Sequence, residues 1–289
     1  MKIDEILKNK RTLSFEVFPP KKEKEDLPQL FETLKELKQF NPDFISVTYG
    51  AGGTNRKSNA EIAGFIKSIG IEPLAHITGG PSTKEEIDEI VLNLKKHNVE
   101  NIFALRGDKP VTYEGDYCKE FKHATDLIEY LKDSNFTIGA ACYPEGHQEC
   151  NSLYEDLVHL KEKQDLGAKF LVTQIFYDNE YYYRLISEAK NMGITVPIIP
   201  GVMPITSISN IDRIKTLCGA TIPLDFRNML EKYRNNPKVL REIGINYAVY
   251  QISDLIAKGA PGIHLYIMNK FSIAKDICER LTNTINELF

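Results

Sequence analysis

Residues 82–108 read STKEEIDEIVLNLKKHNVENIFALRGD, from Ser82 to Asp108, and contain one complete helix–strand step. Ser82-Thr83-Lys84-Glu85 has the form of a capping box, in which a hydroxyl and a carboxylate satisfy the free N–H groups at a helix start. Ile87, Ile90, Val91 and Leu94 then recur on one helical face. After His97-Asn98 the chain becomes a short apolar run beginning near Asn101, and it ends in Leu105-Arg106-Gly107-Asp108. A helix delivers the chain to a buried strand, and charge appears where that strand stops.

The same step repeats in both directions. Candidate strands begin near Leu13, Phe44, Glu72, Asn101, Phe136, Phe170, Pro197 and Gly262. Amphipathic segments lie between them, for example Leu27, Leu30, Phe31, Leu34 and Leu37; Ala124, Leu127, Ile128 and Leu131; and Ile208, Ile211, Ile214 and Leu217. Strand starts fall roughly 27 to 36 residues apart, close to the ~30 of a βαβ unit, except for a last gap of roughly 65. Strict alternation predicts a parallel sheet, and eight units predict an α/β fold of the (β/α)8 TIM barrel type. The long gap predicts an insertion around Ile222 to Arg241, before strand eight. No linker composition interrupts 1–289, so a single catalytic domain is expected. The rival, an open doubly wound sheet, lacks its usual GxGxxG after the first strand.

Composition fits this reading. Of 289 residues, 42% are hydrophobic and 26% charged, enough to bury a large core, and a net charge of −4 gives no general field for nucleic acid. Five Cys without a CxxC pair suit reduced thiols in the cytoplasm. No signal-peptide pattern opens the chain and no run is long enough to span a membrane.

Barrel chemistry gathers at the C-terminal ends of strands. Strand one, Leu13-Ser14-Phe15-Glu16-Val17-Phe18, puts Ser14 and Glu16 on one face by alternation. A carboxylate flanked by Phe15, Val17 and Phe18 is expected to be partly desolvated, which favours its protonated form and suits a general acid. A strand-end salt bridge is the plainer alternative. Thr48-Tyr49-Gly50-Ala51-Gly52-Gly53 allows either close ligand approach or a tight turn. His76 ends strand three as a ligand-binding or structural residue. Arg106 suits a phosphate, or forms an ion pair with Asp108. Cys142, His147 and Cys150 match no common zinc spacing, and no metal is expected. Thr173-Gln174 ends strand six, while Tyr266 and Lys270 follow strand eight. No nucleophile–base pair or Walker loop occurs, which suits an organic cofactor oriented by the protein.

SFEVFPP, SVTYGAGG, AHITGG, ALRGD, CYPEGH, LGAKFLVTQIFYD, PGVMPI and GIHLYIMNK occur in this order along the whole chain. Together they resemble the methylenetetrahydrofolate reductases of bacterial type. That resemblance implies a barrel holding FAD, reduced by NADH or NADPH, which then passes hydride to 5,10-methylenetetrahydrofolate and yields 5-methyltetrahydrofolate. It implies Glu16 as the general acid toward the folate N10 and Asp108 beside the flavin N1/O2 edge. Arg106 would face the FAD phosphates. Thr48, Tyr49, Ala51, His76, Gly107, Ala124, Tyr143 and His147 match flavin contacts, and Asp156 and Lys163 match the adenosine end. Gln174 matches the pterin-binding amide, while Tyr266 and Lys270 match the folate segment. His123, Lys270 and Ile208 depart from residues common in relatives. The resemblance further implies a homo-oligomer, and no S-adenosylmethionine control, because the regulatory domain of eukaryotic members has no counterpart here.

Overall fold

Eight short apolar segments bury both faces when a sheet curls around one set of side chains and helices cover the other. A computed structural model, which describes residues 1–20, 23–49, 56–108, 117–118, 120–211, 214 and 219–289, has this arrangement. The strands are β1 (Thr12–Val17), β2 (Phe44–Val47), β3 (Glu72–Thr78), β4 (Asn101–Leu105), β5 (Thr137–Cys142), β6 (Ala168–Thr173), β7 (Ile198–Ile199), β8 (Gly201–Val202) and β9 (Gly262–Tyr266). All pairings are parallel, and the order is β7-β6-β5-β4-β3-β2-β1-β9-β8.

The two ends of that order belong to one stretch of chain. β7 pairs with β6, and β8, one residue later, pairs with β9. Pro200 separates them, and its carbonyl accepts the His264 N–H at 3.0 Å. Proline has no N–H to give to a ladder, so the pairing breaks there while the chain runs on. β7 and β8 therefore act as one seventh barrel strand that closes the sheet, and the fold is a (β/α)8 barrel.

Alternation along each strand separates two apolar layers. Leu13, Phe15 and Val17 of β1 face outward with Ile45, Val47, Ala75, Ile77, Ile102 and Ala104, under the helices. Phe44, Leu74, Phe103, Phe170, Val172 and Ile199 face inward and fill the barrel. Ile3 joins the inner set because helix Ile3–Asn9 lies across the N-terminal end of the barrel, where the Ile3 N–H donates to Asn101 Oδ1 at 2.8 Å. The same N-terminal segment holds the Met1 ammonium 2.9 Å from Glu72. The N-terminal segment thus covers that end of the inner layer.

Helix Lys84–Lys96 is closed by a capping box one residue later than the sequence pattern suggests. Thr83 Oγ1 accepts from the Glu86 N–H at 3.3 Å, and Glu86 Oε2 accepts from the Thr83 N–H at 2.9 Å. Ser82 instead donates to the Thr78 carbonyl at 3.0 Å, within the turn that leaves β3. Between β8 and β9 the described chain carries helix Leu224–Lys232 and the long helix Pro237–Ala257. Gly244 of the long helix lies so close to Ile205 that an added Cβ would come within 1.7 Å of the Ile205 carbonyl oxygen. This contact packs the segment after β8 against the helix. Leu217, expected on a helix with Ile208, lies outside the described residues.

Candidate active site

Glu16 sits at the C-terminal end of β1, 7% exposed, with its side chain inside the barrel. Its sequence neighbours Phe15 and Val17 belong to the outer layer, so they are not what surrounds the carboxylate. The groups that do surround it come from three other strands. Ser46 Oγ of β2 donates to Glu16 Oε2 at 3.2 Å. His76 Nε2 of β3 lies 3.5 Å from the same oxygen, and His264 Nε2 of β9 lies 3.7 Å from it. All three of these contacts are to Oε2.

Strand register builds this cluster. Glu16 is the Cα partner of Ser46 across β1 and β2, and Ser14 is the partner of His264 across β1 and β9. Ser14 Oγ lies 2.8 Å from His264 Nδ1, and Ser46 Oγ lies 3.4 Å from His264 Nε2. The His76 ring rests on Phe103, with centroids 4.8 Å apart. Burial pushes the His76 imidazole down to about 4, and the nearby His264 adds to that, against the pull of Glu16. A neutral His76 can donate to Glu16 without fixing it as an anion. Ser46 and His264 were not singled out from the sequence. Their signal was there only as inward positions of β2 and β9, visible once the register is known.

Beyond β4, Gly107 adopts φ +85, a left-handed conformation that favours glycine. A Cβ there would stand 3.1 Å from the Tyr117 hydroxyl and 3.2 Å from Thr78. Asp108 follows it and is exposed at the mouth. Of the two alternatives for Arg106, the ion pair with Asp108 does not form, and the guanidinium meets another carboxylate. Arg106 grips Glu149 with two guanidinium nitrogens, Nη2 to Oε1 at 2.9 Å and Nη1 to Oε2. Glu149 holds the Arg106 guanidinium charged more firmly and is itself held below its ordinary value by Arg106. Two residues apart, Arg106 and Asp108 flank a glycine, whereas Glu149 projects across from the next βα loop.

That loop carries the next group of candidates. The Tyr143 ring meets His147 edge-on, with centroids 4.6 Å apart. Burial raises the Tyr143 phenol and lowers His147. Asp156 is on helix Leu153–Leu166, where its Oδ2 accepts the His147 backbone N–H at 3.2 Å. Seven residues on, and so on the same helical face, Lys163 donates to the Ala141 carbonyl at 2.9 Å. Burial raises the Asp156 carboxyl and lowers the Lys163 ammonium, and each opposes the other's shift by charge. The structure thus brings Tyr143, His147, Asp156 and Lys163 together at the end of β5. Cys142 is buried and its thiol is pushed up, so it is an inert core group.

The remaining candidates line the other side. Gln174 folds its Oε1 back to accept the Ile175 N–H at 2.9 Å, which turns the amide NH2 outward. Tyr266 donates to the Thr173 carbonyl at 2.8 Å, and its ring stands edge-on to His264 at 5.1 Å. Lys270 is exposed at the start of helix Phe271–Arg280. Asn269 exchanges two 2.8 Å hydrogen bonds with the Phe18 backbone and so ties the ends of β1 and β9 together. Tyr49 is buried beside the end of β2, and Ala124 is the first residue of helix Ala124–Leu131, next to His123. Ile208 packs on the apolar cluster of Ile205 and Phe226. Ala51 lies outside the described residues.

The rim has unmet polar capacity. Thr48 Oγ1 and Thr78 Oγ1, at the ends of β2 and β3, are buried with no hydrogen-bond partner among the described residues. Buried hydroxyls of this kind call for a partner. With the left-handed glycine turn beside Thr78, Arg106 and the half-buried Lys163 at other strand ends, they make a donor set that fits a ring system with an attached diphosphate. No helix among the described residues is long and apolar enough to cross a membrane.

Comparison with known proteins bears on the whole of this site. A family model described as methylenetetrahydrofolate reductase matches residues 2–282. The chain is 32% identical over 271 residues to the 5,10-methylenetetrahydrofolate reductase of Escherichia coli (strain K12), covering 93% of this chain and 90% of that protein. It is 32% identical over 278 residues to the enzyme of that name from Pectobacterium carotovorum subsp. carotovorum, covering 95% and 91%. A probable methylenetetrahydrofolate reductase (NADH) of Oryza sativa subsp. japonica is 32% identical over 284 residues, covering 93% and 48%. The chain thus spans about half the length of the plant relatives it matches. Among solved structures, an uncharacterized protein from Clostridium thermocellum that binds two copies of 5-methyl-5,6,7,8-tetrahydrofolic acid superposes with a TM-score of 0.62 at 18% identity, covering 97% of this chain and 100% of that one. A 2,3-dimethylmalate lyase superposes at 0.55 with 9% identity, covering 98% and 84%. At such identities the two structures speak for the barrel alone, whereas the family match runs from before β1 to beyond β9 at a third identity, and on that ground this chain belongs to the methylenetetrahydrofolate reductase family.

Proposed function

We propose that the protein reduces 5,10-methylenetetrahydrofolate to 5-methyltetrahydrofolate, with FAD as resident cofactor and NADH or NADPH as the source of hydride. The observation that carries this reading is the inward Glu16, whose hydrogen-bond and imidazole contacts among the described residues fall on Oε2, in a chain of this family. Plant relatives bear NADH in their names, which supports a nicotinamide donor.

Bound FAD supplies the hydride carrier between nicotinamide and folate. The protein's own part is positioning and proton control. Thr48 and Thr78 offer unpaired hydroxyls to the ring system. Arg106, now paired with Glu149, would hold the phosphates by its guanidinium. Asp156 and Lys163, already turned to one face, hold the adenosine end. Gln174 presents its amide NH2 to the pterin, and Tyr266 and Lys270 steady the rest of the folate. Glu16 holds a proton on Oε1 and gives it to the folate N10. That protonation weakens the N10–methylene bond, and the ring opens to a cationic iminium on N5. The Asp108 carboxylate at the mouth favours this cation by charge. The N-terminal segment across the other end of the barrel limits solvent reaching Glu16 from below.

An absorption spectrum of the purified protein tests the reading. A flavin spectrum should be present, should bleach with NADH or NADPH under anaerobic conditions, and should return on addition of methylenetetrahydrofolate. A colourless protein, or a bleached one that the folate does not reoxidise, contradicts it.

A further inference from the structure

Behind Glu16 lies a row of polar side chains that the proposed reaction does not use. Ser14 and Ser46 are fully buried and His264 is 2% exposed. They run from the barrel interior to the carboxylate as Ser14 Oγ, His264 Nδ1 at 2.8 Å, His264 Nε2, Ser46 Oγ at 3.4 Å and Glu16 Oε2 at 3.2 Å. Each serine has one proton, and a neutral imidazole has one. The direction of the row is therefore set by where Ser14 sends its proton.

Ser14 has two acceptors in reach, His264 Nδ1 at 2.8 Å and the Ile263 carbonyl at 3.2 Å. Ile263 already stands in the β1–β9 ladder opposite Leu13. The shorter contact goes to the imidazole, so His264 Nδ1 accepts and the ring proton resides on Nε2. Nε2–H then donates to Ser46 Oγ, and Ser46 donates onward to Glu16 Oε2, the strongest acceptor in the row. Each of these polar atoms has a partner in this arrangement.

We propose that Ser14, His264 and Ser46 form a one-way hydrogen-bond chain that holds Glu16 Oε2 as an acceptor and so keeps the acidic proton on Oε1 for the folate. His264 is a positioning residue that acts through Ser46 on Glu16. The chain is not a proton wire, because Ser14 is sealed from solvent and has no source from which to replace a proton. What it supplies is orientation, and the same donors then stabilise the carboxylate left after transfer. The proposal rests on the reading of Glu16 as proton donor for its catalytic meaning, but the arrangement itself is testable without turnover.

Two measurements on the flavin-loaded protein test it. The first is side-chain nitrogen NMR of nitrogen-15 histidine at neutral pH. It should find the His264 ring proton on Nε2 and not on Nδ1, and Ser14→Ala should remove that preference. A proton on Nδ1 overturns the chain, whether or not the protein reduces folate. The second is the folate half-reaction. Ser46→Ala and His264→Asn should each slow it about ten- to a hundredfold, the loss of a hydrogen bond to a charged group, whereas Ser46→Thr, which retains the hydroxyl, should restore most of the rate. Combined with Glu16→Gln, neither should cause any further loss, because both act through Glu16. A second, independent drop in the double variants, or failure of threonine to rescue, assigns His264 and Ser46 a merely structural part and overturns the proposal. If His264→Asn fails to fold, Ser46→Ala, which deletes only a hydroxyl, decides the same question. Absence of folate reduction in the unaltered protein would instead sink the proposed function, and the NMR result would still decide the chain.

Discussion

His76 Nε2 stands 3.5 Å from Glu16 Oε2, and the barrel keeps this imidazole neutral beside a carboxyl group. The unfolded chain protonates His76 near 6.5, but burial in the folded protein lowers that to about 4. Between those values the unfolded state binds the extra proton, so folding stability falls as pH drops from about 6.5 to about 4 and is fully present above it. The effect is on the order of 3 kcal/mol. Urea unfolding at pH 7 and at pH 4.5 should differ by that order in the unaltered protein, and the difference should shrink in His76→Gln. An equal difference in both proteins would assign the acid sensitivity to other groups.

The Arg106–Glu149 pair makes a prediction of its own. Glu149 is 62% exposed and occupies the guanidinium that is proposed to meet the FAD phosphates. An exposed pair of this kind holds by at most about 1 kcal/mol. Glu149→Ala should therefore tighten flavin binding, by up to about fivefold, as read by fluorescence titration of the apoprotein. Weaker binding in the variant would mean that Glu149 orients Arg106 rather than competing for it.

Asp108 places a negative charge at the mouth, next to the left-handed Gly107 turn. If it lies beside the flavin, Asp108→Asn should raise the two-electron potential, because an anion nearby opposes the addition of electrons. The shift should be on the order of tens of millivolts, with a slower folate half-reaction. Spectroelectrochemical titration checks the first and stopped-flow absorbance the second. An unchanged potential would remove Asp108 from the ring.

All eight barrel strands could be read from the sequence to within two residues, because each is a short apolar run punctuated by turn residues. Phe44, Glu72, Asn101 and Gly262 are the first residues of their strands as expected. The shift of the capping box from Ser82 to Thr83 is a local matter, since two hydroxyls compete for the same helix end and the β3 turn takes the first. The split at Pro200 could not be anticipated in the same way, because it depends on which two strands meet across the closure. At the site, alternation was enough to turn Glu16 inward. It could not supply Ser46, His76 and His264 as its neighbours, which depend on the register of β2, β3 and β9 against β1. Glu16 is desolvated as expected, at 7% exposed, but not by Phe15 and Val17, since residues adjacent in a strand point apart. For Arg106 the sequence leaves a phosphate and an ion pair with Asp108 as alternatives, and it does not show Glu149, 43 residues on, as the partner.

The most direct test of Glu16 as the proton donor is the Glu16→Gln protein, measured in two separate half-reactions. The amide keeps the size of the side chain but has no acidic proton to give. Reduction of the flavin by NADH should proceed at nearly the rate of the unaltered protein, while reoxidation by methylenetetrahydrofolate should slow by at least about a hundredfold, the span of general acid catalysis. Equal loss in both half-reactions, or none in the second, would contradict the assignment.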